Sequence, residues 1–182
     1  MKNAQLLKQF FFFTILIAAY AVSFAQQLSK DESELYNLVM TYRKSKGLPR
    51  IPLSKSLTFV AQTHVKDLEE NYEQNEQCNF HSWSNQGKCK AVCYTSDHAQ
   101  AKLMWSKPKE LTSYTGNGYE IAFAENEEYL ADAEHALESW KLSKAHNSVI
   151  LNKEKWKRKW NAIGIGINGS YAVIWFGNEP DK

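Results

Sequence analysis

Three stretches of the chain carry apolar side chains at helical spacing. In the first stretch, the apolar positions lie three or four residues apart and form one face: Leu35, Leu38, Val39 and Tyr42. Ser29 and Glu32 precede this face at the spacing of a capping box, and Gly47 and Pro49 follow it. The pattern therefore predicts a helix that begins after Ser29 and ends before Gly47.

Two further helices have the same kind of pattern. The second is predicted to begin at Ser54 or Ser56, and its apolar face consists of Leu57, Val60, Ala61, Val65 and Leu68. The third is predicted to have Asn126 as its N-cap, and its apolar face consists of Leu130, Ala133, Leu137 and Trp140. A turn and a short helix are expected over residues 143–151.

Continuous apolar runs predict strands near the C-terminus. Residues 162–167 and 171–176 flank Asn168-Gly169, a dipeptide typical of two-residue hairpin turns. The glycines of this segment match a dinucleotide-binding pattern, but a strand follows them where that mechanism needs a helix. The segment is therefore interpreted as a hairpin, and residues 119–123 are expected to form another short strand.

Between the second helix and that strand, residues 71–118 are rich in polar residues and glycine. A short helix between Ser96 and Trp105 is the regular structure expected there. Long connections of this kind in a compact domain are usually binding or catalytic loops, or are held by disulfides. We therefore expect function to reside here.

The first 25 residues have the three parts of a secretory signal peptide. Lys2 and Lys8 precede an apolar run over residues 10–22, and Ser23 and Ala25 place small residues where a signal peptidase reads. The run is shorter than the roughly 18 apolar residues that a membrane span requires. We therefore predict cleavage after Ala25, a mature domain over residues 26–182, a secreted or periplasmic location and no stable membrane anchor.

Charge argues against nucleic acid as a partner. The chain has 22 basic and 20 acidic residues, and removal of residues 1–25 takes away Lys2 and Lys8 but no acid, which leaves 20 of each. Nucleic-acid-binding domains usually have a basic excess. The basic and aromatic run 153–160 is interpreted as a solvated turn whose tryptophans pack inward, with contact to an anionic surface as the alternative.

Three cysteines lie close together in a chain that is predicted to be exported. Cys78, Cys89 and Cys93 allow one disulfide and one free thiol in a compartment that permits disulfides. Their spacing does not match a paired zinc-knuckle pattern. Both Cys78–Cys93 and Cys89–Cys93 are open, and we favour the first because it would pin the long loop.

The five histidines fall in different contexts. His64 and His135 lie on predicted helices and are expected on the helix surface. His98 is interpreted as a residue that organises its loop. His81 and His146 lie in irregular or turn sequence beside small polar residues, and loops on a rigid scaffold are where reactive groups concentrate.

Several segments, taken in order, carry a family resemblance. They are Tyr42-Arg43 with Gly47-Leu48-Pro49, Phe80-His81-Ser82, Tyr119-Glu120-Ile121-Ala122, Trp140-x-x-Ser143-x-x-His146-Asn147, and the glycine-containing strand 163–166 with residues 172–177. Together they resemble the CAP superfamily, which includes the cysteine-rich secretory proteins, venom antigens, plant pathogenesis-related proteins and many bacterial relatives. The resemblance covers nearly all of the mature chain.

The resemblance implies an α+β fold and a surface cleft. The fold would be an α-β-α sandwich with a small central antiparallel sheet between helical layers. In that family the cleft holds two histidines and one or two glutamates, and it often takes a divalent cation such as zinc. Carried over by motif, the metal ligands here would be His81, Glu120 and His146. Animal members have a second glutamate where this chain has Ser143, and they draw their second histidine from a later segment that this sequence lacks.

Such a set of side chains can support more than one function. Two neutral imidazoles and a carboxylate supply three ligands to zinc and leave one position for water, which could be activated. Without metal, the same three side chains would form a buried hydrogen-bonded cluster. We therefore predict a secreted, non-enzymatic binding domain whose cleft takes a divalent cation or a small or lipidic ligand. The alternatives are an extracellular metal-assisted hydrolase acting on peptides and a protein-interaction module.

Overall fold

The computed structural model describes residues 27–182 except for residues 74, 76 and 127. The predicted signal peptide, residues 1–25, lies outside the described residues. The helices are α1 (Lys30–Ser45), α2 (Lys55–Asn71), α3 (Ala101–Trp105), α4 (Lys107–Leu111), α5 (Ala133–Leu142) and α6 (Lys144–Ile150), with a 3-10 turn at Glu154–Trp156. The strands are β1 (Gly118–Ala124), β2 (Ala162–Asn168) and β3 (Tyr171–Gly177). Within this part of the chain, no helix has the length and apolar character needed to cross a membrane.

Side chains at the helix starts satisfy the free backbone amides there, as the sequence predicts. At α1, the Ser29 hydroxyl accepts from the Glu32 amide at 3.1 Å, and the Glu32 carboxylate accepts from the Ser29 amide at 2.7 Å. At α2, the Ser54 hydroxyl accepts from the amide of Leu57 at 2.9 Å. The capping box is confirmed, and Ser54 is the N-cap of α2.

The three strands form one antiparallel sheet in the order β1-β3-β2. The β2–β3 hairpin turns at Gly169-Ser170, one residue later than the predicted Asn168-Gly169, because Asn168 is still paired with Tyr171 in the sheet; Gly169 has a φ of 54°. Two glycines of β2 allow α2 to lie directly on the sheet. A Cβ atom at Gly164 would approach the carbonyl carbon of Leu57 to 2.0 Å, and one at Gly166 would approach that of Ala61 to 2.5 Å.

Alternating side chains divide the core into two layers. One face of the sheet packs on α1, α5 and α6, and its buried sheet residues are Ile121, Phe123, Ile163, Ile165, Ala172, Ile174 and Phe176. The other face packs on α2, and its buried sheet residues are Ala122, Ala162, Val173 and Trp175. Because both faces are covered by helices, the expected α+β architecture with a small central antiparallel sheet is confirmed.

The long connection is more ordered than its composition suggests. A disulfide joins Cys78 to Cys93, so the favoured pairing is confirmed and Cys89 is the free thiol. Trp83 and Val92 form an isolated antiparallel bridge inside the loop that the disulfide closes. Helix α4 follows α3 directly, which the sequence pattern did not predict.

Helix α5 begins later than predicted. Its N-cap is Asp132, whose carboxylate accepts from the amide of His135 at 2.8 Å, and not Asn126. Before the helix, the amide of Ala131 donates to the carbonyl of Gly169 at 2.9 Å, so this segment bonds to the hairpin turn instead of to a helix. Leu130 accordingly lies outside the helix and is 78% exposed.

The basic and aromatic run matches its sequence interpretation. Trp160 is buried, and its indole donates to the carbonyl of Val149 at 2.8 Å. Trp156 is half-buried, and the charged residues between 153 and 159 are exposed. The tryptophans therefore pack inward and the charges face solvent.

Candidate functional site

Glu120 is a carboxylate in the protein interior. On β1 it shares the sheet face of Ala122, so it points toward the α2 layer, and its side chain is only 1% exposed. A buried carboxylate requires partners that satisfy both oxygen atoms. Here each oxygen meets one imidazole: Oε2 lies 2.5 Å from Nδ1 of His64, and Oε1 lies 2.7 Å from Nδ1 of His81.

His64 is the residue that the sequence interpretation misplaced. It is completely buried on α2, whereas a helix-surface position was predicted. Its Nε2 lies 2.9 Å from the carbonyl oxygen of Ser82, and its ring stacks on Trp83 with centroids 4.2 Å apart. Because a carbonyl oxygen only accepts, Nε2 is the donor to Ser82, and Nδ1 is the nitrogen that faces the Glu120 carboxylate.

The spacing of α2 contained a signal for this burial. His64 lies seven residues after Leu57 and four before Leu68, which is the period of the apolar face itself. A polar residue on the buried stripe of a helix requires a buried partner. His135, by contrast, lies on the helix surface as predicted, with its side chain 60% exposed beside Glu125.

His81 lies in the loop that the disulfide closes, and the loop backbone sets its position. Its amide donates to the side chain of Asn79 at 3.0 Å, while the Asn79 amide donates to the carbonyl of Tyr94 at 2.9 Å. Since Glu120 engages Nδ1, the ring is held with its other nitrogen, Nε2, available for a further partner. The side chain is 20% exposed.

The charge state of Glu120 follows from two opposing effects. Burial by itself raises the pKa of Glu120, but the charge attraction and hydrogen bonds of His64 and His81 outweigh it, so the pKa lies below its usual value. Glu120 is therefore a carboxylate at neutral pH. A carboxylate that accepts from Nδ1 of His81 leaves Nε2 unprotonated whenever that ring is neutral.

His146 reaches the same region from the other helical layer. Ser143 caps α6 through its hydroxyl, which fixes the first turn on which His146 lies. Burial, reinforced by repulsion from His81 and partly opposed by Glu120, lowers the pKa of His146 to about 4. The ring is therefore neutral at pH 7 and can act as a lone-pair donor.

These groups lie along one cleft of about 760 Å³. Its walls are the loop 79–99, helix α3, the start of β1, helix α6 and the 3-10 turn. His81, Glu120 and His146 all line it, so the structure brings the three predicted residues to one cavity. Many of the other lining side chains are aromatic or apolar, among them Met104, Trp105, Tyr119, Val149 and Trp156.

His98 lies on the wall of this cleft and holds the loop that leads into α3. It has a φ of 60°, its carbonyl accepts from the Ala101 amide that opens α3, and its Nδ1 lies 3.1 Å from the Tyr94 hydroxyl. These contacts are those of the loop-organising residue that the sequence suggested.

The donor set fits one kind of metal site better than another. Among the residues that the structure describes, no group of three or more His, Cys, Asp and Glu side chains could hold a metal ion. Each oxygen of Glu120 already contacts an imidazole, and the side chain is only 1% exposed, so a direct bond to a cation would have to use a remaining lone pair of a buried oxygen. His81, which Glu120 orients from behind, and His146 line the same cleft as two imidazole donors.

An α-β-α arrangement around a small sheet, with a histidine and glutamate cleft at its edge, defines the class of domain. The family model described as "CAP: Cysteine-rich secretory protein family" matches residues 36–172. The chain therefore belongs to the CAP family, as the sequence resemblance suggested. A search of curated proteins gives no match.

Solved bacterial structures share the fold. An extracellular protein containing an SCP domain from Bacillus anthracis str. Ames has a TM-score of 0.56 at 17% identity, and a cysteine-rich secretory protein from Staphylococcus aureus subsp. aureus Mu50 has 0.51 at 19%. Each similarity covers 82% of this chain, but only 40% and 38% of those longer chains. An outer surface protein from Borrelia burgdorferi has a TM-score of 0.55 at 16% identity, with 86% of this chain and 96% of that one covered.

Proposed function

We propose that this protein is a secreted, non-enzymatic binding domain whose cleft takes a divalent cation at His81 and His146, together with a small organic ligand. The observation that carries the proposal is the 2.7 Å contact between Glu120 and Nδ1 of His81, at a cleft that neutral His146 also lines. Imidazole nitrogen is a preferred ligand of zinc. The cation would supply a Lewis-acidic binding point for an anionic or lone-pair group of the ligand.

Glu120 has a different part in this proposal from that of His81 and His146. In metal-binding histidines, the ring nitrogen that does not bind the metal commonly donates its N–H to a carboxylate, which fixes the ring and raises its basicity. Glu120 makes this contact to His81 while being held in turn by His64. Glu120 therefore supports the cation site through His81. Direct ligation of the cation by Glu120, which the family resemblance implies, remains a prediction.

The surroundings of the site favour binding over hydrolysis. A hydrolase needs a general base that can reach a bound water. Both oxygens of Glu120 are engaged by imidazoles. Glu154, the other carboxylate among the residues lining the cleft, lies at the exposed rim and 3.5 Å from the ammonium of Lys144. Ser148 also lines the cleft, but its hydroxyl already donates to the Lys144 carbonyl at 2.8 Å.

Export is the second part of the proposal. It is supported by the signal-like N-terminal sequence, by the disulfide at Cys78–Cys93 and by the structural neighbours, which include an extracellular and an outer surface protein. Intact-mass measurement on the exported protein tests it. The expected first residue is Gln26, and a mass that retains residues 1–25 would overturn the prediction.

The cation site is tested by calorimetric titration of zinc into the purified exported protein. Wild type should bind one zinc ion, and His81→Ala and His146→Ala should each lose this binding. His135→Ala is the matched control, because His135 is a solvent-exposed histidine on another part of the fold. Binding that survives both cleft substitutions, or no binding by the wild type, would refute the cation site.

The non-enzymatic part has its own measurement. The zinc-loaded protein and the His81→Ala variant are incubated with a mixed library of short peptides, and products are followed by mass spectrometry. Equal, background-level cleavage is the expected result. Cleavage by the wild type that the His81→Ala variant lacks would establish the metal-assisted hydrolase instead.

A further inference from the structure

A side pocket of about 230 Å³ adjoins the aromatic end of the cleft. Its lining residues are Trp105, Tyr119, Lys155, Trp156, Arg158, Trp160 and Asn178. Trp105, Tyr119, Lys155 and Trp156 also line the cleft, so the two cavities share a wall. The binding of a cation at the histidines makes no use of this pocket.

The walls of the side pocket are aromatic rings set at angles to each other. The centroid of the Tyr119 ring lies 5.5 Å from that of Trp105, 5.1 Å from that of Trp156 and 5.7 Å from that of Trp160. The interplanar angles are 59°, 67° and 43°. Trp160 is buried behind the others, which are half-buried. Aromatic pairs prefer offset-stacked or edge-to-face contacts, and rings that line a pocket at several angles offer such contacts to a further aromatic ring.

Charge at the mouth of the pocket selects among ring-bearing ligands. The side chain of Arg158 is 76% exposed, and its only ion pair among the described residues is a 3.7 Å surface contact with Glu179, a kind of pair that contributes little. Lys155 is exposed and makes no ion pair within the described part of the chain, and its ammonium lies 5.2 Å from the Trp156 ring centroid. Two cations at the mouth disfavour a quaternary ammonium, which aromatic pockets otherwise bind.

We propose that the side pocket binds an aromatic ring that carries a carboxylate or phosphate. The ring would lie among Trp105, Tyr119 and Trp156, and the anionic group would meet Lys155 and Arg158. This proposal rests on the proposed function in one respect, that the cleft is a ligand site, and it names the chemical class of the organic ligand. It does not require the cation.

The test uses three probes with the same ring and different charges. Indole-3-propionate is the anion, indole-3-propionamide is the neutral analogue and tryptamine is the cation. Binding is followed by two-dimensional NMR of the tryptophan indole signals and by calorimetry. The anion should bind at least fivefold more tightly than the amide, tryptamine should bind most weakly, and the preference for the anion should shrink as salt rises.

Variants separate the contribution of the ring from that of the charge. Arg158→Gln should bring the preference for the anion over the amide below about twofold, whereas Lys157→Gln, at the neighbouring exposed lysine, should leave it unchanged. Trp156→Ala should weaken binding of both the indole acid and the amide at least tenfold. Because Arg158 is exposed, its substitution tests the proposal even if Trp156→Ala fails to fold.

Two outcomes would overturn the proposal. Equal affinity for the anion, the amide and the cation would refute selection by charge. Tighter binding of octanoate or glucuronate than of the indole acid would refute recognition of an aromatic ring. Zinc titration of the same wild-type sample is read separately. No zinc binding together with an intact preference for the anion would refute the proposed cation site alone. Zinc binding without a preference for the anion would refute this inference alone.

Discussion

Replacement of His64 by alanine should be one of the most destabilising single changes in this domain. The substitution removes a completely buried ring that contacts Glu120 on one side and the Ser82 carbonyl on the other. Glu120 would keep His81 as a partner but would have one oxygen buried without a donor. Breaking a buried charged pair by removing one partner costs about 3–5 kcal/mol, and the lost stack on Trp83 adds about 0.5–1.5 kcal/mol.

We therefore expect a loss of about 3–5 kcal/mol in the free energy of unfolding, because partial relaxation and water entry offset some of the sum. For a domain of this size, that corresponds to a fall in Tm of roughly 6–20 °C. Urea unfolding followed by tryptophan fluorescence gives the free energy, and calorimetry gives the Tm. His135→Ala, an exposed histidine on α5, should change stability by less than about 0.5 kcal/mol.

A double-mutant cycle isolates the charged contact. If the cost of His64→Ala comes from an orphaned carboxylate, His64→Ala combined with Glu120→Ala should be less destabilising than the sum of the two single changes. A loss below about 1 kcal/mol for His64→Ala, or strict additivity in the cycle, would refute the reasoning from the buried hydrogen-bond network.

Three more predictions concern separate parts of the molecule. The folded pKa of His146, about 4, lies below its unfolded value near 6.5, so its contribution to stability is full above pH 6.5 and is lost as pH falls toward 4. In urea unfolding measured across this pH range, His146→Asn should reduce the loss of stability by up to about 3 kcal/mol. An unchanged pH profile would contradict the pKa shift. Cys78→Ser should lower the free energy of unfolding by about 2–4 kcal/mol because it removes the disulfide. Cys89→Ser should keep the disulfide, so its mass should still rise by about 2 Da on reduction, and loss of that rise would show a different pairing. Gly164→Ala should cost about 1–3 kcal/mol because its Cβ would meet the α2 backbone. Gly87→Ala, whose Cβ would have only the Cys89 amide nitrogen near it, at 4.0 Å, is the control in the same thermal melts, and equal Tm values for the two variants would contradict the packing of α2 on β2.

Local sequence signals predicted most of the regular structure correctly. The capping box at Ser29 acts through neighbouring residues, so its consequence can be read from adjacent positions. The hairpin was predicted for the same reason, although its turn lies at Gly169-Ser170, one residue later than expected. The start of α5 was mispredicted because two acceptable caps, Asn126 and Asp132, lie close together along the chain. The contact of Ala131 with the distant hairpin turn decides between them.

The candidate site divides in the same way. The order of the motifs grouped His81, Glu120 and His146 as one site, and all three line one cleft. His64 was missed because an imidazole on a helix is polar, and polar residues are usually placed on the outer face. The period of the apolar face pointed the other way, since His64 lies seven residues after Leu57 and four before Leu68, but the sequence did not show which buried partner His64 would meet.

Helices α1 and α2, the hairpin, the disulfide candidates and the motif residues of the cleft follow from the sequence alone, because each depends on residues that are close along the chain or on an ordered pattern. Which imidazoles meet the carboxylate depends on how the layers pack. Glu120 finds His64 on α2 and His81 in the disulfide-closed loop because the glycines of β2 let α2 lie directly on the sheet. The partners of a buried charge are the groups that lie near it in space, and packing of the layers determines which groups those are.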